Sequence, residues 1–192
     1  MHAFDFIVLF FSFVYAAAIT HVLATTGEII IEAKRIRLSW LNAGWMLVSL
    51  LATCAWWIGL WDLREVKVWT IGLIAFFFLM ASALYLLARM VSPRIAHDGE
   101  IDLVTFHSQE GRKYIAAFAG IAAVTVLTNS VIGQAAGAAQ WPAQNYAVGP
   151  MALAAVAAAT FIRNIRIQIA ALVVELAAWA VYFAFLQSSL NA

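Results

Sequence analysis

One carboxylate in this chain falls where a helix would carry it into hydrocarbon. Glu175 stands nine residues after Arg166, inside the apolar run 169–186, about 13 Å along a helix. An ionised carboxylate at that depth costs about 3 kcal/mol or more unless it is paired, protonated or hydrated. Its side chain is therefore expected to face a bundle interior or a wet cavity. Gln168, Glu175, Trp179 and Tyr182 fall at offsets 0, 7, 11 and 14, which is one helical face. Such a seam can bind a proton or a cation, or anchor a ligand. The competing reading is a structural hydrogen bond that pins helix packing.

His21 heads a second stripe. His21, Thr25, Glu28, Glu32 and Arg35 fall at offsets 0, 4, 7, 11 and 14, again one face. Glu32 and Arg35 are spaced to pair. By depth, His21 and Glu175 are expected to meet as one polar centre, with a histidine bonded to a neighbouring threonine or carbonyl as the bland alternative. Thr125, Asn129 and Gln134, with Thr128 and Ser130, cluster toward one end of a later apolar run. They suit an outward vestibule, although such groups more often bond between helices or back to their own helix. His97, Asp98, Glu100, Asp102 and His107 are metal-ligand types without a recognised spacing, so no metal site is expected.

These residues need elements to hold them, and composition says which kind. The chain has 192 residues, 65% hydrophobic and 11% charged, where a soluble domain carries about 25% charged residues. Lipid is the solvent that tolerates this. A β-barrel would show alternation in stretches of about 10 residues, whereas the runs here are long and rich in Ala and Leu. The expectation is an all-α membrane bundle in a single transmembrane domain, 1–192. Its six spans are placed at about 4–26, 40–61, 68–90, 113–134, 148–162 and 167–187, built as three antiparallel hairpins. The helix of the first span is expected to continue outside the membrane through Arg37. Segment 92–112 is expected as a cytoplasmic loop holding a short surface helix capped by Asp102, with Leu103 and Phe106 on one face.

Nine of the eleven Lys and Arg residues fall in or beside the loops after spans one, three and five, leaving Arg64 and Lys67 opposite. Those loops are expected in the cytoplasm, with both termini outside. The first apolar run lacks a basic leader and reads as a retained span. Trp56, Trp57, Trp61, Trp69 and Trp141 map to the outer interface, and Trp40 and Trp45 to the inner one, as an aromatic belt. Trp179 lies deeper. Alanines four apart, as at 154/158 and 155/159, allow close helix approach within the bundle or in a homo-oligomer.

Several chemistries lack their residues. No lysine lies within a span to form a Schiff base, and only His21 is there to hold a haem. No P-loop or dinucleotide fingerprint is present. No cofactor, no nucleic-acid partner and no conventional enzyme activity are expected; membrane lipids are the expected partners. The segments FDFIVLFFSFVYAAAITHVL, RIRLSWLNAGWMLVSLL, WWIGLWDLR and LYLLARMVSP resemble an uncharacterised group of small multi-span bacterial inner-membrane proteins. The resemblance implies a bacterial multi-pass protein and carries no activity with it. The leading expectation is a small channel or carrier for an ion, proton or small solute. The alternatives are a non-transporting subunit that scaffolds a partner, and a protein that binds lipid or quinone.

Overall fold

The computed structural model describes residues 3–66, 68–95, 100–135, 144–162 and 164–190, without the side chains of 3, 62, 65, 129–135, 144–148 and 185–190. The described chain is all-helical apart from one pair of two-residue strands. In order it forms α1 (Ala3–Ile31), a 3-10 turn (Ala33–Arg35), β1 (Ile36–Arg37), α2 (Trp40–Gly59), a second 3-10 turn (Leu60–Glu65), α3 (Ile71–Val91), β2 (Ile101–Asp102), α4 (Leu103–Ala135), α5 (Gln144–Phe161) and α6 (Ile165–Leu190). Four helical stretches, Phe4–Ile31, Trp40–Gly59, Ile71–Val91 and Ile165–Ala184, are long and apolar enough to cross a membrane; Gly149–Phe161 is a shorter apolar helix. Large apolar side chains such as Phe13, Ile71, Leu79 and Phe161 are exposed, as lipid contact allows and water does not.

Side-chain caps set the helix starts. Ser39 Oγ accepts from the Asn42 N–H at 3.3 Å, Thr70 Oγ1 from the Leu73 N–H at 3.2 Å, and Asn164 Oδ1 from the Arg166 N–H at 2.9 Å. Pro93 follows α3 and stops it. At α4, Asp102 Oδ1 accepts from the N–H groups of Val104 at 2.8 Å and Thr105 at 3.1 Å. The Asp102 cap is present, as its spacing before Leu103 suggests. The helix behind it is not short, however. It runs unbroken for 33 residues, so most of the expected loop 92–112 that lies after Asp102 is the first part of α4. The polar residues of that stretch lower its hydropathy without breaking its helix propensity.

The first span is corrected at its other end. Its α-helix stops at Ile31 and does not reach Arg37. Three consecutive isoleucines, 29–31, are poor helix formers at an exposed end. Ile36 and Arg37 then gain a partner of their own, pairing in parallel with Ile101 and Asp102. Arg37 Nη1 lies 3.2 Å from Asp102 Oδ2. Glu32 and Arg35 do pair, at 2.9 Å.

The chain divides into two compact units, Met1–Gly111 and Arg112–Ala192, with the boundary inside α4. In the first unit, α1, α2 and α3 each touch both of the others. Phe10 packs on Phe78 and Phe11 on Phe77, while His21 meets Arg89. Those pairs advance together along both helices, so α1 and α3 run parallel. Trp57 Nε1 donates to Ser12 Oγ at 3.1 Å, and Asn42 Nδ2 to the Val91 carbonyl at 2.9 Å. These pairs make α2 antiparallel to both. The unit is a three-helix bundle rather than a hairpin plus one. Phe11, Tyr15, Ala18 and Val22 of α1, Trp45, Val48 and Ala52 of α2, and Leu84, Ala88 and Val91 of α3 fill its core.

In the second unit α5 and α6 pack against each other as an antiparallel pair, and the Asn164 N–H donates to the Ile162 carbonyl between them at 2.9 Å. A Cβ added at Gly149 would meet Val126 Cγ2 at 3.3 Å, so α4 and α5 approach closely there, as the small residues suggest. Arg112 Nε ties α4 to the Thr160 carbonyl of α5 at 3.0 Å.

Two predictions follow from these ties. Asn42 is fully buried, and Asn42→Ala leaves the Val91 carbonyl without its donor. A loss of about 1–3 kcal/mol is expected in denaturant unfolding in micelles; an unchanged midpoint would show that the bond does not hold α2 to α3. The backbone N–H of Thr105 holds the Asp102 carboxyl below the ordinary aspartate range, opposed by desolvation and helped by the Thr105 hydroxyl, the Val104 N–H and Arg37. That stabilisation is full above about pH 4, the unfolded value, and is lost as pH falls through the lower folded value. Asp102→Asn keeps a cap but should lose this acid-dependent part of the melting profile, with Val104 and Thr105 amide exchange as the local readout.

Candidate functional site

The α6 seam is built as its spacing suggests. Ala171, Leu172 and Glu175 are buried, and Gln168, Trp179 and Tyr182 on the same face are half-buried. Trp179 packs edge-on against Tyr182, with ring centroids 5.7 Å apart. Glu175 is 3% exposed. Among the described residues its Oε1 has no hydrogen-bond partner, and neither has the buried indole Nε1 of Trp179, one turn further along.

The neighbouring helix explains this. α5 ends at Phe161 and α6 starts at Ile165, and the two run antiparallel, which sets Glu175 near the level of Ala152. The buried residues of α5 are Ala152, Val156 and Ala159, none with a polar side-chain atom. The hydroxyl of Thr160 is engaged with its own Val156 carbonyl at 3.0 Å. The Ala-rich sequence of α5 permits close packing but brings no donor to the carboxyl. A structural hydrogen bond pinning this Glu175 oxygen is therefore absent among the described residues.

His21 has a different environment. It is half-buried on α1, and Arg89 Nη1 stands 3.3 Å from its Nδ1 and 3.4 Å from its Nε2. Near-equal distances to both ring nitrogens place the guanidinium nitrogen toward the Cε1 edge or ring face, not along one lone pair. Thr25 is buried and Glu28 exposed on the same stripe, and the Glu28 charge acts on His21. Each unit holds its own member of the expected pair: His21 in the first, Glu175 in the second. The nearest charged partner of His21 is Arg89, not a threonine or carbonyl.

Of the vestibule residues, Thr125 donates to the Ile121 carbonyl of its own helix at 2.8 Å, which is the commoner fate of such a group. The side chains of Asn129 and Gln134 lie outside the described residues, as do His97, Asp98 and Trp141. His107 is buried, its ring 3.1 Å from the position a Cβ would take on Gly111. Trp40, Trp57 and Trp61 are exposed, as belt residues would be, and the Arg64 guanidinium lies 5.1 Å from the Trp61 ring centroid. Trp45 corrects the belt: it is 2% exposed and belongs to the core, because depth in a span does not say which way a ring points.

Sequence reasoning missed Arg89, Asn42, Tyr15 and Ser49. Arg89 was legible only as a topology charge in the last turn of a span. The Ser39–Asn42 spacing carried a capping signal that was available. Tyr15 OH and Ser49 Oγ are buried without partners, and nothing in their spacing marks them out.

The parallel register behind the His21–Arg89 contact can be checked directly. In a Cys54→Ser background, the pair His21→Cys and Arg89→Cys should couple efficiently with a short bismaleimide. His21→Cys with Gly72→Cys, at the other end of α3, should not. The reverse result would refute the register.

Compared with protein-family models, curated proteins and solved structures, the chain matches none of them.

Proposed function

We propose that this is a multi-pass membrane protein acting as a small conduit or carrier, with Glu175 as the point where a proton or a small polar solute binds. The observation that carries the reading is a buried carboxyl oxygen with no partner among the described residues, on a helix long and apolar enough to cross a membrane. In hydrocarbon such a group must be protonated or answered by a guest. Trp179 narrows the guest. An indole N–H only donates, so a bare metal cation would answer the carboxylate and repel the indole. Water, or a solute carrying a hydroxyl, serves both, since it donates to the carboxylate and accepts from the indole N–H.

In this reading α4 and α5 add two crossings to the four apolar helices, giving six spans with both termini outside. The distribution of Lys and Arg supports that orientation, and supports a bacterial inner membrane with the likeness noted in spans one to three. Gln168 and Tyr182 extend the seam toward either end of α6. A second reading, binding of a lipid or quinone carbonyl by the same seam, is favoured by the unpartnered Trp179 N–H.

The test is proton flux in proteoliposomes loaded with a pH-sensitive dye. Glu175→Gln should reduce flux at least about tenfold, the effect of about 1.4 kcal/mol at the controlling step. Thr125→Ala, which removes a hydroxyl bonded to its own helix, should leave it unchanged. Wild-type flux equal to that of empty vesicles removes the proton-conduit reading, and retention of a quinone by wild type but not by Trp179→Phe establishes the second.

A further inference from the structure

The hairpin of α1 and α2 does not close at its inner end. A groove of about 440 Å³ lies between the C-terminal half of α1 and the N-terminal half of α2. Val22, Thr26 and Ile29 line one side, and Ala43, Leu47 and Leu50 the other. Thr26 donates to the Val22 carbonyl of its own helix at 2.8 Å, and Asn42, also in the lining, is fully buried with its Nδ2 on the Val91 carbonyl at 2.9 Å, so the wall is largely apolar. Ile30 and Leu47 on the rims are exposed. The groove follows the helix axis from Val22 to Ala33, about 16 Å, which is about half of a 30 Å hydrocarbon core. Its length therefore matches one leaflet, and its direction matches that of an acyl chain.

Its end is charged in a specific way. Beyond Ala33 come Lys34, Arg35 and Arg37. Arg35 is answered by Glu32 at 2.9 Å and Arg37 by Asp102 at 3.2 Å. Lys34 follows Ala33, a residue of the groove lining, directly in the chain, and is an exposed cation without a carboxylate partner among the described residues. Glu28 belongs to the other stripe of α1, where its charge acts on His21.

We infer that this groove seats one acyl chain of an anionic phospholipid, with its headgroup at Lys34. The site is separate from the Glu175 seam and stands whether or not that seam conducts. The groove's shape and apolar lining select the chain, and Lys34 selects the negative headgroup.

The experiment uses the full chain in vesicles of phosphatidylcholine and phosphatidylglycerol. A trace of either lipid carries a photoreactive diazirine in its acyl chain, and adducts are mapped by peptide mass spectrometry. The phosphatidylglycerol probe should mark Leu47 and Leu50 well above the exposed Leu79 and Leu86 of α3, which serve as the bulk-lipid reference. Ala43→Phe fills the groove and should abolish the excess while leaving the reference adducts alone. Lys34→Gln, at an exposed position, should reduce the preference for phosphatidylglycerol over phosphatidylcholine about fivefold without reducing total labelling. Groove labelling no higher than the reference, an excess that survives in folded Ala43→Phe, a preference unchanged by Lys34→Gln, or crosslinks to a second copy in place of lipid would each overturn the inference. If Ala43→Phe fails to fold, the Lys34→Gln result decides.

Discussion

Hydrocarbon offers no hydrogen bonds, so every polar group carried into a span must be answered from within the protein. Most of the structure obeys this rule by short local means. Thr26, Thr53, Thr125 and Thr160 each donate to the carbonyl four residues back. Trp57 donates to Ser12, and Asn42 to Val91. Hydroxyls handled this way leave helix faces effectively apolar and free to pack. Some buried polar atoms, among them Tyr15 OH, Ser49 Oγ and Ser92 Oγ, lack a partner among the described residues, and Glu175 Oε1 is the one of these that belongs to a carboxyl group. The helix beside it contributes alanines and a valine where one threonine or asparagine would have sufficed.

The same rule organises the first unit. Its polar contacts fall mostly at the ends of helices: Asn42 to Val91 and Glu32 to Arg35 at one end, Ser12 to Trp57 nearer the other. Between them the core is largely apolar, with Ala18 and Val22 of α1, Val48 and Ala52 of α2, and Leu84 and Ala88 of α3 buried. Polar contacts at the ends fix register, and the apolar middle supplies contact area. In lipid that division is expected, because dispersion and shape act between apolar faces while hydrogen bonds carry the specificity.

Helices in this chain were legible from the sequence because hydropathy and caps agree. Trp40, Ile71 and Ile165 each follow a Ser, Thr or Asn that caps the helix, and the apolar runs have the length of a span. The burial of Glu175 was legible too, since only one side of a helix can tolerate a carboxylate at that depth. What could not be read are contacts between distant positions. Arg89 lies 68 residues from His21, and its place in the last turn of a span made orientation its obvious use. The pairing of Ile36–Arg37 with Ile101–Asp102 is too short to leave a period-two pattern. Trp45 shows the limit of depth as a guide, since depth fixes a level in the membrane but not a direction around the helix.

The length of α4 shows why its polar start belongs with β1. A 33-residue helix is about 50 Å long, against about 30 Å of hydrocarbon. Taken as a crossing, it has about 13 residues to spare, and the sequence decides which end protrudes. From Tyr114 onward α4 has no charged residue, whereas Glu110, Arg112 and Lys113 lie before it, with Asp102 at the cap. On that reading the protruding part is the N-terminal one. A helix end standing out in water would fray unless held, and here two devices hold it. Asp102 satisfies the first amides with one oxygen and meets Arg37 with the other, while the strand pair fixes the backbone just before the cap. One aspartate thus starts the helix and fastens it to the loop that follows α1. The loop after the first span and the start of the fourth helix accordingly form one small folded cap on the first unit rather than two independent loops.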